Sequence, residues 1–318
     1  MAILGKITSA TVLFGVTLIA AGCAELQQLG DKLQQLGDEL QQRAESALPP
    51  IDRIQRQLQS QNKQVRMAAL DEAANLESQF ALQNLILGQA LEGHPDAYGH
   101  RKVNYPDDVR IGAIDKLFEK GEILTLIKLA DDYRIGGGRV AMVKGDNSIT
   151  SHIKNRIRTV EGLEKLCKEC SRLQGGIDWL RVSWILIGTG SHDDQCPLSN
   201  ECLLWAVRHI NDKTMKNIFD LFPRTGMASA AGENAVKRMT DYGCLKTVAM
   251  DAACLMQPRI AAAEKMFKHS SINGNDILAV IASFEKADEE QMTQIAKTGL
   301  DAAKRIGAQN VVDALEGK

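Results

Sequence analysis

Aromatic side chains are scarce in this chain: Phe, Trp and Tyr together make up 4% of its 318 residues. Apolar residues still account for 44% of the sequence, a share that is typical of globular rather than disordered proteins. Strands favour aromatic and β-branched residues in alternating patterns. No stretch of the sequence alternates long enough to demand a strand, so the composition favours an all-α fold over a β-sandwich.

Several signs of common activities are also missing. The formal net charge is only -2, which gives no electrostatic reason to expect nucleic acid as a partner. The sequence contains no Gly-x-Ser-x-Gly elbow, no Walker A loop, no Gly-x-Gly-x-x-Gly fingerprint and no His-Glu-x-x-His pair. We therefore expect a non-enzymatic protein without a bound cofactor.

The longest apolar or small-residue run stands at the N-terminus, from Ile7 to Ala21, after the single positive charge of Lys6. It is too short for a full membrane span and has the form of a secretory signal. The run ends in Ala20-Ala21-Gly22 before Cys23, and this junction resembles the lipobox of bacterial lipoproteins, although Ala20 departs from the usual larger aliphatic residue. An ordinary signal peptide, or an uncleaved anchor, is the alternative.

The lipobox resemblance implies that residues 1–22 are removed and that Cys23 carries the lipid, including a palmitate-type chain. Ala24, rather than Asp, follows the cysteine. In the enterobacterial sorting pattern this implies a periplasmic protein that is held at the outer membrane. Acyl chains on one cysteine anchor an otherwise soluble domain.

A seven-residue repeat follows the cysteine, and residues 23–50 are predicted to form a stalk or linker. Its leucines alternate by three and four, as on the seam of a coiled coil: Leu26, Leu29, Leu33, Leu36 and Leu40. Gly30 and Gly37 each cost about 1 kcal/mol of helix stability. Residues 26–42 are therefore either an oligomerising coiled coil or a simple spacer helix, and Pro49-Pro50 ends the segment.

Beyond the stalk, residues 51–318 show mostly helical periodicity, and one short pattern recurs there. Arg66-Met-Ala-Ala-Leu-Asp71, Arg110-Ile-Gly-Ala-Ile-Asp115 and Arg259-Ile-Ala-Ala-Ala-Glu264 all read arginine, apolar, small, alanine, apolar, acid. Val65-Arg66 and Val109-Arg110 resemble the start of the second helix in a HEAT repeat, whereas Pro258 replaces the valine in the third copy. Leu180-Arg181-Val182 is a possible fourth, degraded copy.

The first two copies are 44 residues apart, within the roughly 40–47-residue period of HEAT and armadillo units. The resemblance implies a HEAT-like α-solenoid over 51–318, in which the arginine and a preceding acid link neighbouring units. It also implies a scaffold or adaptor that binds another protein along its surface. A helical bundle without repeats is the alternative interpretation.

Six further cysteines suggest other chemistry, since an even number in an exported protein is typical of disulfides. They are Cys167, Cys170, Cys196, Cys202, Cys244 and Cys254. Proximity favours a Cys196–Cys202 bridge, while Cys244 and Cys254 are predicted to be either buried thiols or one bridge. Cys167-x-x-Cys170 lies on an amphipathic stretch from Val160 to Leu173, without the strand that a thioredoxin-like dithiol needs. A redox or zinc site using the first four cysteines, with His192 as another ligand, is the alternative function.

A polar loop is predicted over residues 93–108, between helical stretches. It combines residue types that dominate binding hot spots: Tyr98, His100, Arg101, Lys102 and Tyr105. Long loops in compact arrays are often functional. The loop is therefore either a partner-binding surface or a tolerated insertion.

Overall fold

A computed structural model describes residues 30, 32–37, 48–76, 80–92, 102–132, 147–173, 175–188, 197–220 and 227–317. Within these ranges the regular structure is helical; the sole β-type pairing described is a single antiparallel bridge between Gln89 and Lys102. The all-α prediction is therefore confirmed for this part of the chain. None of its helices is long and apolar enough to cross a membrane.

The predicted signal peptide, Cys23 and most of the stalk lie outside the described residues. Residues 32–37 are helical. Their two leucines are open to solvent, with Leu33 58% and Leu36 56% exposed. The apolar seam predicted from the seven-residue repeat is thus exposed to solvent at Leu33 and Leu36, the two seam leucines that the structure describes.

The remaining helices follow one another along the whole chain and are numbered here in order. They are α1 (Pro50–Gln57), α2 (Lys63–Ala74), α3 (Ala81–Leu87), α4 (Asp107–Lys120), α5 (Ile123–Ala130), α6 (Asn147–Ile157), α7 (Val160–Arg172), α8 (Trp179–Ile187), α9 (Asn200–Arg208), α10 (Lys213–Phe219), α11 (Ala228–Arg238), α12 (Tyr242–Met250), α13 (Met256–Phe267), α14 (Gly274–Ala282), α15 (Glu289–Ile306) and α16 (Gln309–Glu316).

The chain divides into two units, Met1–Glu72 and Ala73–Lys318. In the first unit, Pro50 occupies the first turn of α1, where its missing N–H costs no helical hydrogen bond. Arg53 on α1 forms an exposed ion pair of 3.1 Å with Glu72 on α2. The two helices of this unit are therefore joined across their connecting turn.

In the second unit the helices pack locally along the chain. Each principal contact among the described helices joins elements that are at most three places apart: α4 with α6, α11 with α13, α13 with α15. Four phenylalanines fill the interior between these helices, since Phe118, Phe219, Phe267 and Phe284 are all at most 2% exposed. The core is thus a sequence of overlapping local clusters.

Side-chain caps fix where many of these helices begin. An N-cap side chain accepts a backbone hydrogen bond from the first helical turn, which satisfies a donor that has no partner within the helix. This arrangement is present at Thr159, Asp178, Ser199, Asp212, Asp241, Asn273 and Asp288. The short connections between helices are therefore ordered by their own polar residues.

Candidate functional site

The recurring arginines bind main-chain carbonyl oxygens. Arg110 on α4 donates from Nε and Nη2 to the carbonyl of Ile86, at 3.1 and 2.9 Å. Arg259 on α13 donates from Nε to the carbonyl of Ala249 at 3.0 Å and from Nη2 to that of Ser283 at 2.7 Å. These acceptors lie at the C-terminal ends of α3, α12 and α14, where carbonyls lack helical partners.

The first copy uses its arginine over a shorter range. Arg66 donates from Nη1 to the carbonyls of Ser60 and Gln61, at 2.7 and 2.9 Å, in the turn before its own helix. Arg181 of the degraded copy instead forms an ion pair with Asp131, with Nε 3.2 Å from Oδ2. The HEAT resemblance implied that the arginine and a preceding acid link neighbouring units, and the contact of Arg181 with Asp131 joins an arginine to an acid at the end of another helix.

The same arrangement occurs outside the repeated pattern. Other cations donate to the last carbonyls of a neighbouring helix: Arg158 to Ile185, Arg238 to Ile187, Lys120 to Ala74, Lys265 to Lys237 and Arg305 to Phe267. A positive charge is favourable there because the helix dipole places partial negative charge at that end. The repeated arginines are therefore packing residues, and the function must be sought elsewhere on the molecule.

Cys167 and Cys170 lie one helical turn apart on α7, as the amphipathic pattern predicted. They face α10, where Asp212 and Thr214 contact Cys167 and Thr214 contacts Cys170. Burial, followed by the charge and hydrogen bond of Asp212, raises the pKa of the Cys167 thiol to about 12. Burial likewise raises the pKa of Cys170 to about 11. Both groups are neutral thiols at physiological pH, whereas redox cysteines need the thiolate.

The remaining described cysteines are also free thiols. Cys202, Cys244 and Cys254, like Cys167 and Cys170, form no disulfide, so the prediction of disulfides gains no support among the cysteines that the structure describes. Burial raises the pKa of Cys202, and it raises those of Cys244 and Cys254 to about 11. Cys196 lies outside the described residues, and with it the proposed Cys196–Cys202 bridge.

The zinc alternative needs several ligands around one point. Among the described residues, no group of three or more His, Cys, Asp or Glu side chains is placed to hold a metal ion. Cys196 and His192, which the alternative also uses, fall outside those residues. Cys167 contacts a threonine and one aspartate, which is the environment of a thiol packed between helices rather than that of a metal ligand.

Only the end of the predicted binding loop is described. Tyr98, His100 and Arg101 lie outside the described residues, whereas Lys102 is exposed and pairs its backbone with Gln89. Tyr105 is 3% exposed and therefore belongs to the core. The helix α4 begins at Asp107, slightly earlier than the loop limit predicted at 108.

The sequence interpretation missed one buried polar cluster, which is centred on Asp276. Asp276 on α14 is 9% exposed and accepts hydrogen bonds from Tyr242 Oη at 2.5 Å, Lys246 Nζ at 2.6 Å and Asn273 Nδ2 at 2.8 Å. Burial alone would raise the pKa of this carboxyl, but the three donors outweigh it and hold the pKa below its ordinary value. Tyr242 and Lys246 are four residues apart on α12, a spacing that could have signalled a shared partner.

A second cluster involves the basic stretch from His152 to Arg158. Arg156 donates from Nε to Oδ1 of Asp115 at 2.9 Å and stacks over the buried ring of Phe118 at 4.5 Å. His152 approaches the same carboxylate oxygen at 3.4 Å. This cluster joins α6 to α4. Arg156 therefore contacts Asp115 and Phe118 within the molecule instead of contributing to an exposed basic surface.

Two exposed leucines lie next to the connection between α7 and α8, one at the end of α7 and one in the first turn of α8. Leu180 is 72% exposed, more than any other large apolar residue in the described part of the chain, and Leu173 is 46% exposed. Ile177 and Trp179 between them are half-buried. Comparisons with known proteins do not identify a use for this surface or for the polar clusters: no family model, curated protein or solved structure matches the chain.

Proposed function

We propose that this protein is a lipid-anchored, non-enzymatic scaffold of the bacterial periplasm. Its helical domain, residues 51–318, would form a HEAT-like α-solenoid that binds another protein along its surface. The anchor would be the lipidated Cys23, held at the outer membrane and joined to the domain by the stalk. The partner is a protein whose identity the chain does not specify.

One observation carries the proposal: the repeated motif is used for packing. Arg110 and Arg259 occupy equivalent places in the motif, and each ties its helix to the C-terminal carbonyls of others. Together with the local order of helix contacts, this supports an array of similar units. Such arrays expose long surfaces and commonly act as binding platforms.

Envelope crosslinking tests the scaffold directly. The wild-type chain and a lipid-anchored control that lacks residues 51–318 would be crosslinked in intact cells, purified and compared by mass spectrometry. We expect at least one protein to be captured by the wild type alone. If every captured protein is recovered equally with the control, the helical domain is not the binding surface and the proposal fails.

The anchor has its own test. Mass spectrometry of the membrane-extracted protein should show an N-terminal Cys23 that carries acyl chains, and Cys23→Ala should release the chain from the outer-membrane fraction. An intact Met1 in the mature protein would contradict the lipoprotein interpretation without touching the fold.

A second candidate role is a structural oligomer formed through residues 26–42. Leu33 and Leu36 are exposed in the single chain, and a coiled coil between copies would bury them in its seam. Their exposure therefore favours this role. Sedimentation should then give a larger mass for the wild type than for the Leu33→Ser/Leu36→Ser double variant. Equal masses would leave the stalk as a spacer.

A further inference from the structure

The connection between α7 and α8 and the first turn of α8, called here the 173–180 turn, carry exposed apolar side chains. Hydrogen bonds hold the backbone of its last residues, Ile177 to Leu180, in a defined conformation. Gly176 adopts a positive φ of 78°, which reverses the chain. The backbone N–H of Trp179 donates to the carbonyl of Ile177 at 3.0 Å. Asp178 caps α8 by accepting from the N–H of Arg181 at 3.1 Å. Leu180 is therefore presented from an ordered first helical turn.

Positive charge flanks this turn, while the nearby acids are engaged. Lys168 and Arg172 on the last turns of α7 are exposed. Glu169, between them, accepts the N–H of Leu124 at 2.8 Å, and Asp178 is used as the cap of α8. Lys168 and Arg172 precede Leu173 along the chain, and Arg181 follows Leu180. Apolar and tryptophan side chains flanked by lysine and arginine are typical of a segment that enters the headgroup region of a bilayer.

We propose that the 173–180 turn contacts the membrane surface, with Leu173, Trp179 and Leu180 inserted among phospholipid headgroups. This inference rests on the proposed lipid anchor, since residues 23–49 can reach at most about 90 Å even when fully extended. A tethered domain meets the same bilayer at high effective concentration. The acyl chains then supply the affinity, and the turn sets the orientation of the helical domain on the membrane.

Quenching of tryptophan by brominated lipid tests this contact in the mature, lipidated chain. The protein would be reconstituted into vesicles of phosphatidylethanolamine and phosphatidylglycerol, with or without bromine on the acyl chains, and separated by flotation. Brominated vesicles should quench the wild type. The quenching should disappear in Trp179→Phe and persist in the matched control Trp205→Phe, which removes a tryptophan from α9.

A second measurement separates the turn from the anchor. The mature chain, residues 23–318, with Cys23→Ala cannot be lipidated at that residue and should still bind the anionic vesicles weakly. Leu173→Ser/Leu180→Ser should reduce that binding about tenfold or more, because two leucines lose their burial. Met227→Ser is the control, since Met227 is 64% exposed but lies outside the turn. Both leucines are already exposed, so the double variant should fold.

The outcomes distinguish the two proposals. If the lipidated protein floats but Trp179 is not quenched, the turn lies in solution, where it could instead bind a protein. This result overturns the membrane contact and leaves the lipid anchor standing. Protein that neither floats nor binds overturns both. The membrane contact is supported if Trp179 is quenched and if the weak binding of the Cys23→Ala chain depends on Leu173 and Leu180. This holds even if no lipid is found on Cys23.

Discussion

Arg259 illustrates why a recurring charged residue need not be catalytic. Its side chain is 4% exposed, binds carbonyls on two helices and stacks over Phe284 at 4.5 Å. Arg259→Met would keep the apolar stem but leave both carbonyls without this donor. We expect the free energy of unfolding to fall by about 2–4 kcal/mol, measured by urea denaturation.

Arg208 provides the matched control for Arg259. It forms an ion pair of 2.9 Å with Asp251, but its side chain is 44% exposed. Exposed pairs are worth less than about 1 kcal/mol, so Arg208→Met should change stability little. If the two substitutions have equal effects, burial does not decide the contribution of these arginines.

The thiols of Cys167 and Cys170 should react slowly with a water-soluble maleimide in the folded chain. The pKa of Cys167 is raised to about 12, so at pH 7 its thiolate is roughly a thousandfold rarer than in an ordinary cysteine. Labelling followed by mass spectrometry should show modification only after unfolding in urea. Rapid labelling of the folded chain at Cys167 would revive the redox alternative.

The Asp276 cluster predicts a particular dependence of stability on pH. The pKa of this carboxyl is lowered in the folded chain, so its charge stabilises the fold above the ordinary value of about 4, and this stabilisation is lost as the pH falls below it. Asp276→Asn should therefore cost about 1–3 kcal/mol near pH 6 and less near pH 3. Urea midpoints at both pH values measure this, and an unchanged difference would exclude the charge as the cause.

At the scale of the helices, the corner between α6 and α7 leaves no room for a side chain at Gly162. A Cβ added at Gly162 would lie 2.4 Å from the carbonyl oxygen of Ile157, so the backbone would have to move. Alanine normally stabilises a helix interior by up to about 1 kcal/mol relative to glycine. Here we expect Gly162→Ala to destabilise by about 2 kcal/mol instead.

Gly175 is the control for this element, because nothing lies within 4 Å of a Cβ added there. Gly175→Ala should shift the thermal midpoint far less than Gly162→Ala does. Similar shifts for both would mean that the close approach to Ile157 does not set the cost.

Helices could be predicted from the sequence because their signals are local. The stretch from Val160 to Leu173 was expected to be amphipathic and helical, and α7 spans Val160–Arg172. The environment of its cysteines could not be predicted, because Asp212 and Thr214 reach them from α10. Asp276 was missed for the same reason: its donors on α12 lie 30 and 34 residues away along the chain.

At the scale of the whole molecule, the motif recurs at one position in three helices but gives no indication of a partner. Arg66, Arg110 and Arg259 mark equivalent positions in three helices, and their contacts with carbonyls explain why arginine suits all three. A surface that binds another protein, as proposed, would lack such a signal, because exposed residues are constrained by a partner rather than by the fold. The prediction of an α-solenoid therefore depends on how stability is distributed along the chain.

Removing the C-terminal helices tests that distribution. The principal contacts of α15 are with α13, α14 and α16, and solenoids are stabilised by interactions between neighbouring units. A chain ending at Ala287, without α15 and α16, should lose roughly a sixth of its helical circular dichroism and still unfold cooperatively, at a lower urea concentration. A chain ending at Ala308, which lacks only α16, should fall between it and the wild type.

In a bundle without repeats, by contrast, the same deletion would open a shared core. The chain ending at Ala287 would then lose most of its helical signal rather than the share that α15 and α16 contribute. Hydrogen exchange can locate the damage, because a solenoid should lose protection mainly in α13 and α14, which contact the deleted helix. Loss of protection as far away as α4 and α5 would contradict the repeat array, and with it the extended surface on which the scaffold proposal depends.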